Sequence, residues 1–365
     1  MRPFPLTSLA RLEWINNISF SANTVGVLPG NQLPADRFMW GLHLVLEGRA
    51  TMPASGGPSA LSADGIVALI DRIRVSGYHR GRRQPETIIE LRGPDVYELG
   101  NMYSGAQQLY LPSSWSFSAN ATNDFRVGMV LPFVPPRVSP YEQARYLLDN
   151  PNYDALKLEV KFGDVASCFG SYTTAPSLSA YGSTTGSPRV IVAGYFALAG
   201  PGKFLGTVPG RTTWSFQEVT GSQMTTTATK QRLVDIPTGG FVRAITIKTG
   251  VKSTTVSSGN DAYASLSDTI LSEIKVNRGI NNAVRYAPLY HFFKEELRTL
   301  TGRSPATGYA RIDFAGRGAL GEAFDARALS AGPSGRVDFY VEADVSGAAN
   351  QAALFIFEQI IALPS

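Results

Sequence analysis

Apolar and polar residues alternate along most of this chain, and the period is two far more often than 3.6. LKLEVKF, residues 156–162, is the plainest case: Leu156, Leu158, Val160 and Phe162 fall on one face, with charges between them, the pattern of a strand with one wet side. LIDRIRVSG, residues 69–77, carries the same signal with Ile70, Ile73 and Val75 in step. About two hundred residues later LSEIKVNRG, residues 271–279, matches it: Leu271, Ile274 and Val276 stand at a constant offset of 201. The flanks agree. LPADRFMWGLHLVLEG (33–48) and IPTGGFVRAITIKTG (236–250) align Pro34 with Pro237, Phe38 with Phe241, Leu42 with Ile245 and Leu44 with Ile247, all at an offset of 203. Two segments in near-common register predict a duplicated unit.

Downstream, each copy runs into a proline that opens a short helical pattern. Pro94 precedes Val96, Leu99, Met102 and Tyr103, with Gly105 beyond; Pro288 precedes Leu289, Phe292, Phe293, Leu297 and Leu300, with Gly302 beyond. Proline at the first turn and glycine past the last are start and stop signals. Strand patterns resume after both helices: WSFSA, FRVGMVLPF, LKLEVKF and RVIVAGYFAL in the first half, YARIDFA, VDFYVEADV and ALFIFEQIIAL in the second. GPGKFLGTVPG, 200–210, separates the halves.

The expected fold class is therefore all-β: two eight-stranded jelly roll sandwiches in tandem, each with a short inserted helix. A meander sandwich or a barrel has the same periodicity. The expected organisation is an N-terminal arm over 1–14, a first sandwich over 15–200, a linker over 201–213 and a second sandwich over 214–365.

Composition supports two cores. A chain of 365 residues exceeds one ordinary domain. It is 44% hydrophobic and only 17% charged, so much of its surface is uncharged and suited to lie against a partner. Glycine (36) and proline (23) punctuate it often enough to favour short strands over long helices. The net charge of +4 is too mild for a dedicated DNA-binding domain. Cys168 is the single cysteine, which rules out an intrachain disulfide and a thiolate metal cluster. MRPFPLTSLARLEW lacks the apolar core of a secretory signal, and ALFIFEQIIAL, interrupted by Glu358 and Gln359, is far short of a membrane span. The expectation is a soluble chain made in a cytoplasm.

These core positions, LP-x3-F with alternating Leu and then Gly at 33–48, I-x2-I-x-V at 70–75, Pro-helix-Gly at 94–105 and their counterparts at 236–250, 271–276 and 288–302, resemble the double jelly roll major capsid proteins of icosahedral double-stranded DNA viruses, the group of tectiviruses, corticoviruses and adenoviruses. The resemblance implies a non-enzymatic structural subunit of the virion, held in the host cytoplasm before assembly. It implies a homotrimer of pseudo-hexagonal outline that meets neighbouring capsomers and vertex or minor capsid proteins, with no sequence-specific nucleic acid binding. It also implies that residues 1–14 form an arm contacting neighbours or an internal lipid membrane through Phe4, Leu6, Leu9 and Trp14; the bland reading is a frayed terminus. The long uncharged segment 163–188, with Phe169, Tyr172 and Tyr181, is by resemblance a loop ordered by neighbours or exposed outside, and otherwise a mobile surface loop.

No residue earns a catalytic, cofactor-binding or metal-ligating assignment. GRGALG, 316–321, spells G-x-G-x-x-G after a strand, but lacks the βαβ repeats a dinucleotide fold needs. His43, His79 and His291 have no metal-ligand spacing. Arg80, Arg82 and Arg83 cluster in HRGRRQ, which reads as a solvated loop or an intersubunit ion-pair site rather than a phosphate site. Asn17 and Asn120 head glycosylation sequons by letter only. The rival reading is a two-module carbohydrate-binding or carbohydrate-active β-sandwich protein; it needs an aromatic platform or paired carboxylates, and Trp14, Trp40, Trp115 and Trp214 are scattered.

Overall fold

The computed structural model of the chain describes residues 10–30, 32–34, 36–80, 84–104, 110–111, 114–134, 147–197, 210–237, 240–254, 262–279, 283–302, 304–314, 324–325 and 339–362. They form two compact units. The first runs to Arg211 and includes Ala262; the second holds Thr212–Thr254 and the described residues from Tyr263 on.

The strands of the first unit are β1 (Ala10–Ser19), β2 (Val25–Val27), β3 (Phe38–Thr51), β4 (Ile70–His79), β5 (Glu86–Leu91), β6 (Tyr110–Leu111), β7 (Thr122–Pro132), β8 (Leu148–Asp149), β9 (Tyr153–Phe162), β10 (Ser177–Ser179) and β11 (Arg189–Ala197), with helix α1 (Gly93–Ser104) after β5. One sheet has the order β1-β11-β3-β7, extended by the short strands β6, β8 and β10; the other runs β2-β9-β4-β5. The second unit comprises β12 (Gly210–Val219), which enters it at Thr212, β13 (Ala228–Asp235), β14 (Phe241–Lys252), β15 (Tyr263–Leu266), β16 (Leu271–Arg278), β17 (Ala283–Leu289), helix α2 (Tyr290–Thr301), β18 (Tyr309–Asp313), β19 (Phe324–Asp325), β20 (Phe339–Val345) and β21 (Gln351–Ala362). Its sheets are β12-β21-β14, with β15, β18 and β19 along the far side of β14, and β13-β20-β16-β17. Among the described residues, with β6, β8 and β10 set aside in the first unit and β15 and β19 in the second, eight strands remain in each, and both units arrange them first-eighth-third-sixth and second-seventh-fourth-fifth. That order is the jelly roll, executed twice.

The core follows the predicted register. Ile70, Ile73 and Val75 on β4 and Leu271, Ile274 and Val276 on β16 are all buried. Val75 is flanked by Leu158 and Ile89, while Val276 is flanked by Val341 and Arg285. Leu42 and Leu44 on β3 and their counterparts Ile245 and Ile247 on β14 are likewise buried.

α1 and α2 each connect the fifth and sixth main strands of their units. α1 begins where only glycine fits, since a Cβ on Gly93 would lie 2.6 Å from the Ile70 Cβ and 2.7 Å from the Ile70 carbonyl oxygen. α2 ends at Gly302, whose φ of +77° is the left-handed cap that closes the last turn onto Arg298. Pro288 falls within β17, two residues before α2, because a proline holds its predecessor extended. WSFSA departs from expectation: it is irregular, not a strand. The Asn123 side chain accepts from the Ser116 N–H at 2.8 Å and donates to its carbonyl at 2.9 Å, which satisfies that backbone without a neighbouring strand.

Candidate functional site

Alternation along β3 divides its side chains between two surfaces. Met39, Leu42, Leu44 and Leu46 are wholly buried, whereas His43, Val45, Glu47 and Arg49 occupy the opposite face. On that outer face Glu47 stands between Arg126 of β7 and Arg189 of β11, accepting from each at 2.8 Å. One register step on, Arg49 grips Asp124 with two hydrogen bonds of 2.7 and 2.8 Å. The bidentate Arg49 guanidinium holds the Asp124 carboxyl below its ordinary range.

This ionic ladder organises segment 163–188. Asp164 caps the turn Val165–Ser167 by accepting from the Ser167 N–H at 3.2 Å. Phe169 bridges to Leu61 and packs edge-on against Trp115 at 5.8 Å. β10 pairs with the end of β3, the Gly182 N–H donates to Asp124 at 3.1 Å, and the Arg126 guanidinium lies 4.4 Å from the centre of the Tyr181 ring. The segment is thus ordered by its own sheet.

Farther along the same face the surface turns aromatic. Tyr195 stacks on His43 at 6.3 Å and meets Trp40 edge-on at 5.4 Å. Burial lowers the affinity of His43 for its proton. Leu12 and Trp14 of β1 adjoin this region, paired with Tyr195 and Ala193, and Trp14 is 65% exposed. Residues 1–9 of the expected arm lie outside the described residues; residues 10–14 are the first half of β1 and are paired along their length with β11. Likewise 210–213, read as linker, begin β12, while 201–209 are outside the described residues.

In the second unit the corresponding sheet carries buried charge. Arg243 of β14 and Arg311 of β18 both donate to Glu358 of β21, at 2.7 and 2.6 Å, and all three side chains are fully buried. Arg311 also reaches the Thr246 hydroxyl at 3.2 Å and lies 3.6 Å from Asp313. Burial pushes the Glu358 carboxyl up, but the two guanidinium charges outweigh it and hold the group below its ordinary value. The three residues lie on strands far apart in the chain, so no local motif marks the cluster.

The remaining candidates do not converge. His79 ends β4 with its ring against Tyr153, and His291 opens α2 stacked on Phe292. Arg80 pairs with Asp154 at 3.3 Å, both exposed; Arg82, Arg83 and GRGALG lie outside the described residues. Among the described residues no three His, Cys, Asp or Glu side chains gather as a metal site, and no helix is long and apolar enough to cross a membrane. A cavity of about 20 Å³ beside Asp64, Asp71, Arg92 and Ser167 has room for one water. What the geometry supplies is surface: an ionic clamp, an aromatic patch and exposed sheet edges.

By sequence the chain matches no family model and no curated protein. By structure it is similar to the STIV MCP, with a TM-score of 0.66 at 11% identity over 96% of both chains. It is also similar to the major capsid protein P2 from Bacteriophage PM2, at 0.58 and 11% over 98% of both chains. A third likeness is the Faustovirus major capsid protein, at 0.52 and 10% over 100% of this chain and 91% of that one. At these identities the likeness is one of fold, and the chain shares the double jelly roll fold of these proteins.

Proposed function

We propose that this chain is a major capsid protein, a structural subunit of an icosahedral viral shell that works as a homotrimer of pseudo-hexagonal outline. The observation that carries the reading is the twofold jelly roll itself: two sandwiches of one strand order hold most of the described residues, and the likeness to the STIV MCP and PM2 P2 covers nearly the whole of those chains. On this reading the polypeptide has no reaction to perform. Its work is to present surfaces to its own copies, to neighbouring capsomers and to vertex or minor capsid proteins, in the host cytoplasm before assembly and then in the virion.

Light scattering on the purified full chain tests the reading. The expected mass is about 118 kDa, three times 39.3 kDa, at micromolar concentration, because interfaces of the obligate class bury on the order of 2,000 Å² or more. A monomer whose mass does not change with concentration, together with measurable affinity for glycans, would return the reading to a two-module binding protein.

A further inference from the structure

Trp14 and Trp40, far apart in the sequence, stand in the first unit on β1 and β3, the two strands that flank β11. From β11 the Tyr195 ring leans toward β3: it lies 7° from parallel to His43 and meets Trp40 edge-on. Two residues back, Ala193 is opposite Trp14 on one side and His43 on the other. Adjacent strands lie about 4.8 Å apart, so the indole and the imidazole rise from positions roughly 10 Å apart with a single methyl group between them. The result is a shallow trough with Ala193 as its floor. The Trp14 indole N–H donates to Asn17 Oδ1 at 3.4 Å. At 65% exposure, the indole has at least one open face.

Charge is kept away from this trough. β3, β7 and β11 carry Glu47, Arg49, Asp124, Arg126 and Arg189, all toward the far end of the sheet, where they bond to one another. On β1, Glu13 alternates with Leu12 and Trp14, so it belongs to the opposite face, where it pairs with Arg11 and Arg37. His43 is left, and burial favours its neutral form. The Tyr195 hydroxyl and the His43 ring nitrogens make no hydrogen bond among the described residues. A wholly aliphatic partner would bury these polar groups unsatisfied, at a cost. A charged partner finds no counter-charge beside them.

We propose that the trough between Trp14 and the His43–Tyr195 pair binds an uncharged glycan, with one pyranose ring seated over Ala193. A pyranose carries weakly positive C–H bonds on its faces and hydroxyls around its rim. The C–H bonds meet the electron-rich face of the indole. The rim hydroxyls reach the Tyr195 hydroxyl, a His43 nitrogen and the Asn17 amide. Aromatic rings interleaved with uncharged hydrogen-bonding groups match such a ligand in both polarity and charge. The site belongs to the first unit alone and goes beyond the capsid reading: it gives the subunit a means of holding a glycan-coated surface.

The test presents the full chain to an array of neutral hexose and N-acetylhexosamine oligosaccharides alongside sialylated and sulfated ones. The tightest neutral binder is then titrated with tryptophan emission as the readout. Neutral glycans are expected to bind, with no gain from sialic acid or sulfate. Trp14→Ala is expected to weaken binding by about tenfold, the effect of losing one aromatic contact, and Trp14→Phe to restore part of it. Ala193→Leu fills the floor and enlarges the apolar face, so it is expected to abolish sugar binding, whereas an aliphatic partner would bind it as well as before or better. Both variants are expected to keep the melting temperature and the light-scattering mass of the wild type. An array that retains only anionic glycans, or none, overturns the site, as does binding that neither Trp14→Ala nor Ala193→Leu changes. A Trp14→Ala chain that melts normally but loses the trimer mass also overturns it, because the face is then a contact between copies. A monomeric wild type that binds a neutral glycan through Trp14 and Ala193 keeps the site and removes the trimer.

Discussion

The Arg126 guanidinium lies 4.4 Å from the centre of the Tyr181 ring while donating to Glu47 at 2.8 Å. One side chain thereby ties segment 163–188 to the sheet beneath it. Its planar cation serves both partners, as a lysine could not. Replacing Arg126 with Ala is expected to raise chymotryptic cleavage after Tyr181 by about tenfold, the effect of losing roughly 1.4 kcal/mol of cation–π and ion-pair contact. The melting temperature should move little. Unchanged cleavage would mean that β10 and the Gly182–Asp124 bond hold the segment by themselves.

The Arg243–Glu358–Arg311 cluster predicts an acid limit for the second unit. Glu358 has a lower pKa folded than unfolded. It therefore adds stability above its ordinary value of 4.5, and that stability disappears as the pH falls through the folded pKa, below 4.5. Glu358→Gln removes the carboxylate that two buried guanidinium groups share, leaving Arg311 with Asp313 as its acidic neighbour, and is expected to cost about 3–5 kcal/mol at neutral pH. Urea melts across this range should show the wild type losing stability on acidification more steeply than the variant. Parallel pH profiles would contradict the argument.

Ile73 and Ile274 are wholly buried at equivalent places in the two sandwiches. Asp at either position leaves a carboxylate without a partner in a core, a cost that rivals the roughly 5–15 kcal/mol that stabilises a domain. Soluble expression should fail for both variants. Ile→Val at the same positions should cost only about 0.5–1.5 kcal/mol. Normal folding of either Asp variant would break the equivalence of the two halves.

Gly93→Ala should destabilise the first unit, although alanine favours helices by about 1 kcal/mol over glycine. The new methyl group would meet Ile70 Cβ and the carbonyl oxygens of Ile70 and Val67, all within 2.9 Å. Two of these are backbone atoms, so the strain is not relieved by a rotamer change. A loss of about 1–3 kcal/mol by denaturant titration is expected. A gain would place α1 farther from β4.

The duplication was legible because inward positions of central strands must be apolar, and Ile70, Ile73 and Val75 repeat at Leu271, Ile274 and Val276. The first strand of each unit was not. ARLEWINNIS is an edge strand in which apolar Trp14 and Ile15 are neighbours and break the alternation, so its residues 10–14 read as arm, and GRTTWSFQEV began inside the expected linker. Its Arg-x-x-Trp repeat escapes a search for apolar alternation. WSFSA misled because an asparagine side chain can stand in for a neighbouring strand. The anchoring of 163–188 depends on Asp124 and Arg126, some forty to sixty residues earlier in the chain, which no local pattern exposes. For the buried triad there was a signal. Glu358 is the one charge in the strand Gln351–Ala362, set in an apolar run where an unpaired charge is costly and a buried basic partner is to be expected.

Cys168 is wholly enclosed, and burial raises its thiol far above the ordinary range. A protonated, inaccessible sulfur neither attacks a disulfide nor reacts readily with peroxide. The polypeptide can therefore pass from a reducing interior to oxidising surroundings without forming cross-links within a copy or between copies. A particle built from it would be as easily taken apart after that passage as before, and its durability would depend on packing alone.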